Sequence, residues 1–301
     1  MGWQRQTLFF EVKSGLHIGA QTLGFIKRTR WFIPSKILWA MTTRVITEFL
    51  FPNNSSQHYE LIGDEVDKQI RFTNFYLWTE NHAKGYTPEF TDKGLLWGGL
   101  KPCEFAQNFI GTQTSTALSM ASTSAEENML HEVEYILPFS RSRQQVYLVG
   151  EIFYKENLEI KGKTISNILD TIFLESYLYL GGESAYGYGR VIYNSEPPET
   201  HSQWKFTAIA ALEEKENKLC CRFQNDQYLP CFVKVSPCNT NTEFAGDVEL
   251  LVAREIDQKR GYGQSIKSHN FCWIPGTKVT SKSEEKPIFS IEEKGFWNLI
   301  A

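Results

Sequence analysis

The stretch from Leu178 to Tyr193, LYLGGESAYGYGRVIY, limits what this chain can fold into more than any other. It sets the glycines Gly181, Gly182, Gly187 and Gly189 and the tyrosines Tyr179, Tyr186 and Tyr188 between a helical pattern and a strand-like one. Glycine adopts positive φ at no steric cost and lets a second backbone come close. Gly182 and Gly187 have the spacing of a nucleotide phosphate loop, but Tyr188 stands where that loop needs lysine. The direction of the chain argues the same way. Phosphate loops run from strand into helix, so that the helix N-terminus meets the anion. Here the glycines follow a helical stripe over Thr164 to Leu180, made of Ile165, Ile168, Leu169, Ile172, Phe173 and Leu180. Two readings remain. One is a glycine cap and tight turn; the other is a loop whose rings and Arg190 meet RNA bases and phosphates.

The rest of the first two-thirds supplies the order of elements. Thr7–Lys13 is apolar and β-favouring and stops at Ser14-Gly15. Pro34-Ser35 opens a helix, with serine as a cap for orphan amides. Ile37, Leu38, Met41, Val45 and Phe49 continue it at helical spacing up to Pro52-Asn-Asn-Ser-Ser56. Ile70–Trp78 reads as a strand, and Thr112–Ser124 as a polar loop or hairpin insertion. Met129–Leu137 and Gln145–Tyr154 are strands with Arg141 and Arg143 in the turn between them, and Arg190–Tyr193 is the last strand. Strand, helix, strands, helix, glycine loop, strand predicts an α+β fold: a modified ferredoxin-like or RRM-like βαββαβ core over 1–196, with inserted loops at about 52–125. Pro197-Pro198 marks the boundary to a smaller, β-rich part, 197–301. That part carries a second glycine motif, Gly261-Tyr262-Gly263, and a tail that docks through Phe296 and Trp297.

Charge narrows the partners. A net charge of −4 excludes nucleic-acid binding through overall basicity. Residues 1–50, however, hold seven Lys/Arg against two acids, which allows a local basic face. Within it, Lys27-Arg-Thr-Arg-Trp-Phe32 interleaves cations and rings just before a helix N-terminus. The bland alternative is a solvated basic loop with Trp31 and Phe32 anchored in the core. Catalytic signals are thin. The six histidines are scattered, without HExxH, and no GxSxG occurs. His17, between Gly15 and Gly19, is the histidine to watch, against the plainer reading of a hydrogen-bonded turn residue. Asp64, Glu65 and Asp67 read as a solvated acidic loop rather than a metal site. The six cysteines form no CxxC pair, although four fall within 220–238. Free thiols and the lack of a transmembrane-length apolar run lead to an expectation of a soluble, cytoplasmic protein without cofactor, metal or catalytic residue.

Four segments in the same order resemble the RAMP superfamily of CRISPR-associated proteins, which are built on modified RRM folds. Gly15-Leu-His-Ile-Gly19 is similar to that family's first-strand exit, and Phe32-Ile-Pro-Ser-Lys-Ile-Leu-Trp39 to its helix start. Thr123–Glu134 is similar to its Thr-Ala-Glu segment, and Gly181–Val191 to its glycine-rich loop before the last strand. Ser35, Ala40 and Asn128 depart from the pattern by standing where glycine is usual. The resemblance implies a non-catalytic subunit that binds CRISPR RNA within a multisubunit effector complex. The echo at Gly261–Gly263 and Trp273-Ile-Pro-Gly276 is similar to the type III subunit that caps the RNA's five-prime handle. On that reading Arg28, Arg30, Lys36 and Arg44 neutralise phosphates, with Arg141, Arg143, Arg190 and His17 bordering the same RNA. Gly187 and Gly189 admit its backbone, Tyr186, Tyr188 or Trp31 stack on bases, and Gly261, Tyr262 and Gly263 form a second contact. Target RNA is met indirectly, through the guide. Two rivals stand beside it. One is a backbone subunit cutting target RNA with a metal held by an exposed loop aspartate, for which Asp64 and Asp67 are the candidates. The other is a stand-alone repeat-RNA endonuclease using a histidine such as His17.

Overall fold

Antiparallel pairing of the first strand with two distant segments sets the architecture. The computed structural model describes residues 2–300 apart from 83, 118–128, 158, 165–168, 170–172, 175–176, 196–205, 207, 216–217, 236–240 and 258–260, and only the backbone at 253–257, 261–269 and 293. In chain order, β1 (Trp3–Val12) leads to β2 (Gly19–Leu23) and β3 (Ile26–Thr29), then to α1 (Ser35–Leu50) and α2 (Ser55–Gln69). Next come β4 (Ile70–Phe72), β5 (Tyr76–Trp78), β6 (Pro88–Thr91), β7 (Gly94–Trp97), α3 (Pro102–Phe109), β8 (Ile110–Ser115) and β9 (His131–Ile136). The first part closes with β10 (Tyr147–Lys155), β11 (Glu159–Ile160), β12 (Lys163–Thr164), β13 (Leu178–Tyr179) and β14 (Arg190–Tyr193). The second part holds β15 (Ile209–Lys215), β16 (Lys218–Phe223), β17 (Gln227–Tyr228), β18 (Val233–Lys234), β19 (Thr242–Ala245), β20 (Val248–Asp257), β21 (Gly261–Trp273), β22 (Lys278–Ser281), β23 (Ile288–Ile291) and β24 (Trp297–Leu299).

The first sheet runs β13-β14-β1-β10-β4, with β5 also on β10, and every pair in it is antiparallel. Taking β4 and β5 as one interrupted strand, this is the 4-1-3-2 order of a βαββαβ core, so the α+β expectation holds. The second helix is seen at Leu169, Phe173 and Leu174. Phe173 turns inward, its ring 5.7 Å from Phe10 and 5.6 Å from Tyr193. Most of that helix lies outside the described residues, as do Pro197-Pro198 and the first half of Thr123–Glu134. The structure shortens the helix at both ends. Thr164 belongs to β12, while Leu178 and Tyr179 pair with Val191 and Arg190 and so spend their backbone groups on a ladder.

The region read as inserted loops also differs. Ile70–Trp78 supplies the core's second strand, and Asp64, Glu65 and Asp67 lie on α2, with Asp67 buried. A break at Thr73-Asn74 separates β4 from β5. There the Asn74 side-chain carbonyl accepts the Ser35 amide at 3.0 Å, capping α1 from outside. Ser35 makes no cap of its own; its hydroxyl donates instead to the Lys294 carbonyl at 3.3 Å.

β10 is the central strand and is buried from Tyr147 to Phe153. Gly150 is required there, because a Cβ would run into the Phe75 ring. Glu151 is fully buried and faces the Arg5 guanidinium at 2.6 Å. Arg5 also donates to the carbonyls of Phe206 and Ile209, tying the second part to the sheet. Further ties run from the Tyr76 hydroxyl to the Pro230 carbonyl at 2.7 Å and from Arg71 to the Ile291 carbonyl at 3.2 Å. Burial holds the Tyr76 phenol well above its ordinary pKa, so it stays a donor.

The second part is a seven-stranded sheet, β15-β16-β23-β24-β18-β21-β20, beside the three-stranded β17-β22-β19. Trp297 is fully buried in it, as the docking tail predicts. Cys220, Cys221, Cys231 and Cys272 are free and buried; burial pushes the Cys272 thiol up to about 11 and the Cys221 and Cys231 thiols up as well. Among the described residues no cluster has the makings of a metal site. Cys238 lies outside them.

Removing one member of a buried ion pair strands the other charge, at a cost of about 3–5 kcal/mol. Glu151→Ala is therefore expected to lower unfolding free energy by roughly that amount in urea titration, and Arg5→Met/Glu151→Leu to recover most of it. A loss under about 1 kcal/mol for Glu151→Ala would contradict the role given to this pair.

Candidate nucleic-acid interface

The glycine-rich segment closes a hairpin. β13 enters it, β14 leaves it, and Ser184–Tyr186 forms one 3-10 turn at its tip. Gly181 therefore does not cap the preceding helix; Gly187, at φ 86°, caps the 3-10 turn. The close approach that the glycines permit is made by the chain itself. The Gly182 amide donates to the His17 carbonyl at 2.9 Å, and the Gly189 amide to the Gly15 carbonyl at 2.8 Å. A Cβ at Gly181 would collide with the His17 carbonyl, and one at Gly189 would sit 2.6 Å from the Leu180 carbonyl oxygen. Both have positive φ, which L residues adopt only under strain. Gly187 has nothing within 4 Å of where its Cβ would be. Of the two glycines expected to admit RNA, Gly189 is thus filled from within and Gly187 alone is open.

His17 is buried, its Nδ1 2.8 Å from the Glu134 carbonyl, and its backbone pairs with Gly182. It is a structural turn histidine and offers no exposed imidazole. Tyr188 is half-buried against Tyr135 and donates to the Gln113 side chain at 2.5 Å. Burial first, then Tyr135 and Glu183, raise its pKa. Tyr186 projects freely, 78% exposed. Arg190 is exposed and lies over the ring of Tyr177, 5.8 Å from its centroid.

The basic segment behaves differently from its sequence reading. Lys27 on β3 reaches Glu183 at 2.6 Å, and Arg28 reaches Glu134 at 3.3 Å. Arg30 holds Glu249 of β20 through both nitrogens, one contact at 3.0 Å, and sits over the Phe232 ring. Arg30 is therefore a tie between the two parts rather than a free phosphate ligand. Trp31 stacks on Phe105 at 5.0 Å with Trp97 edge-on at 5.4 Å, so its ring serves the core. The alternative of an anchored aromatic pair holds for Trp31, partly buried against the core, and for Phe32, which is buried.

Two grooves meet at the start of α1. The larger, about 580 Å³, is lined by Lys36, Arg44 and Tyr59 on the helices and by Tyr179, Gly181 and Gly182 on the hairpin. Ser55 and Ser56 bring the uncapped N-terminus of α2 to its wall. Arg44 donates to the Tyr177 carbonyl at 3.3 Å and lies over the Tyr179 ring. The smaller groove, about 350 Å³, shares Gly19, Lys36 and Ile37 and continues past Arg30 to Leu250 and Val252 of β20 and Lys294. So Lys36, Arg44 and the glycine hairpin converge as expected. Tyr59 and the α2 start were missed, because nothing in their spacing points at the hairpin; Tyr179 was noted in the glycine stretch but not assigned to the site.

Other expected residues lie elsewhere. Arg141 and Arg143 line neither groove. They project from a turn fixed by hydrogen bonds from Arg143 to Ser140 and from Ser140 to Gln144, with Arg143 at φ 64°. Gly261, Tyr262 and Gly263 begin the long strand β21, where Gly261 pairs with Asp257; they do not repeat the turn of the first motif.

No family model matches the chain, and no curated protein does. Solved structures do. A chain of the type III-B Cmr-beta bound to cognate target RNA and AMPPNP aligns with TM-score 0.55 at 9% identity, covering 91% of this chain and 86% of that one. A second, of Cmr-beta bound to cognate target RNA, aligns at 0.50 and 10% identity with the same coverage. The likeness is one of fold.

The glycine geometry predicts unequal substitutions. Gly181→Ala and Gly189→Ala each combine strain with a backbone collision and are expected to cost at least about 2–3 kcal/mol. Gly187→Ala carries strain alone, about 1 kcal/mol. Urea titration of the three variants checks the ranking.

Proposed function

We propose that this chain is a non-catalytic RNA-binding subunit of a type III CRISPR RNA-guided effector complex, and that it caps the five-prime handle of the CRISPR RNA. The observation that carries the proposal is the groove in which Lys36 and Arg44 of α1 face the glycine hairpin of an RRM-like core. Paired cations beside rings, at an uncapped helix start, suit a single-stranded backbone with splayed bases. The shared fold with chains of Cmr-beta bound to cognate target RNA adds a complex in which such a groove has a use.

On this reading Lys36 and Arg44 neutralise successive phosphates, and Tyr186 and Tyr177 offer exposed faces to bases. Arg190 holds the Tyr177 ring from the hairpin side. Arg141 and Arg143 meet a more distant stretch of RNA or a neighbouring subunit. Sequence selection at the handle comes from this chain, while the target is read by guide pairing. The rival metal nuclease needs an exposed loop aspartate, and Asp64 and Asp67 are on a helix. The rival histidine nuclease needs an accessible imidazole, and His17 is buried.

Binding of labelled handle-bearing RNA is expected to weaken steeply with salt. Lys36→Ala/Arg44→Ala should flatten the log–log salt slope by about 0.7 per removed charge. Arg30→Ala should lower the urea midpoint and leave that slope nearly unchanged. Anisotropy titrations at several salt concentrations test both, and an unchanged slope in the Lys36/Arg44 variant sinks the assignment. Purification from cells is expected to bring RNA of one defined length and large partner subunits, and incubation with repeat RNA should leave that RNA intact.

A further inference from the structure

We infer that Glu183 is a built-in competitor for the RNA backbone: its carboxylate occupies Lys27 until a phosphate displaces it. This rests on the RNA-binding reading and concerns the regulation of that same groove. Three observations lead to it. First, all three cations of the Lys27–Arg30 segment are held by carboxylates from separate elements, Glu183, Glu134 and Glu249. Two of those pairs are fixed by further contacts. Glu134 also accepts the Thr29 amide, and Arg30 grips Glu249 with two nitrogens above Phe232. Lys27 and Glu183 meet at a single point, 2.6 Å, with the lysine side chain 39% exposed.

Second, Glu183 stands in the left-handed region, at φ 58° and ψ 25°. Its neighbours in the loop show that glycine is available to this turn, and glycine would sit there without strain. A glutamate kept in that conformation points to a use for the side chain. Third, Glu183 lies between Gly182 and Ser184, both of which line the larger groove. The pair therefore stands at the hairpin rim of the groove, next in the chain to residues that line it together with Lys36 and Arg44.

A single-point pair of this kind, with the lysine 39% and the glutamate 20% exposed, remains within reach of a phosphate that competes for the lysine. The exchange makes binding more selective. A ligand must supply enough phosphate contacts to outcompete the carboxylate, so short or isolated anions are turned away while a backbone that also reaches Lys36 and Arg44 is accepted. It also removes one cation from the counterion count of the free protein, because Lys27 is already neutralised.

The test uses the full chain and a fluorescein-labelled oligouridylate of about 16 nucleotides. Glu183→Asn and Glu183→Gly both tolerate positive φ and are expected to fold. Each should bind about two- to fivefold more tightly than the wild type, with a salt slope steeper by about 0.7. In a Lys27→Ala background the gain should vanish. Equal or weaker binding by both variants, with urea midpoints unchanged or raised, overturns the latch, as does a gain that persists without Lys27. If neither wild type nor variants bind the oligouridylate or handle-bearing RNA at low salt, the RNA reading itself falls; wild-type binding without a gain sinks the latch alone.

Discussion

The chain leaving β1 and the hairpin entering β14 lie backbone against backbone, with amides of Gly182 and Gly189 on the carbonyls of His17 and Gly15. No side chain fits between them. That contact decides where the hairpin tip stands relative to α1, because the same exit segment continues through β2 and β3 into the helix start. It also fixes the ring positions: Gly15 leaves room for Tyr135 and Tyr188, whose rings would be 2.6 Å and 3.0 Å from a Cβ there. The groove is thus the space left when two strands approach as closely as polypeptide allows.

Electrostatics works on a different principle. The acidic chain does not present its cations bare; it pairs those of the Lys27–Arg30 segment across sequence separations of more than a hundred residues. Such pairs carry little stability when exposed. Under the proposed function they would keep the surface from binding any polyanion indiscriminately; in the groove itself Lys36 and Arg44 line the wall, with Glu48 3.8 Å from Arg44. The buried pair of Arg5 and Glu151 is the opposite case, since desolvation makes its integrity a condition for joining the two parts.

The core was legible where periodicity was strong. β1, α1, β9, β10 and β14 follow their alternating or helical patterns, and the turn chemistry of Gly181–Gly189 marked the hairpin. α2 was not legible, because its buried apolar face amounts to Ile62 and Val66 around Gly63, which is needed for the Trp39 ring. The end of the second helix was misplaced because Leu180 continues the helical stripe, while strand pairing takes Leu178 and Tyr179 just before it. At the site, sequence showed which residues carry charge and rings; Lys36 and Arg44 line the groove, and Tyr186 is exposed at the hairpin tip outside its lining. It did not show their partners. Glu249 for Arg30, and Phe105 for Trp31, are tertiary facts with no local signal.

The smaller groove has one wall from each part of the chain, with Arg30, Ser35 and Lys36 on one side and Leu250, Val252 and Lys294 on the other. Whatever occupies such a space is bound only by the joined form, so occupancy and joining are thermodynamically linked. The coupling is reciprocal: a ligand that draws the walls together raises the affinity of the two parts for each other by the same factor. A chain of this design converts its own loading into rigidity at the junction between the two parts.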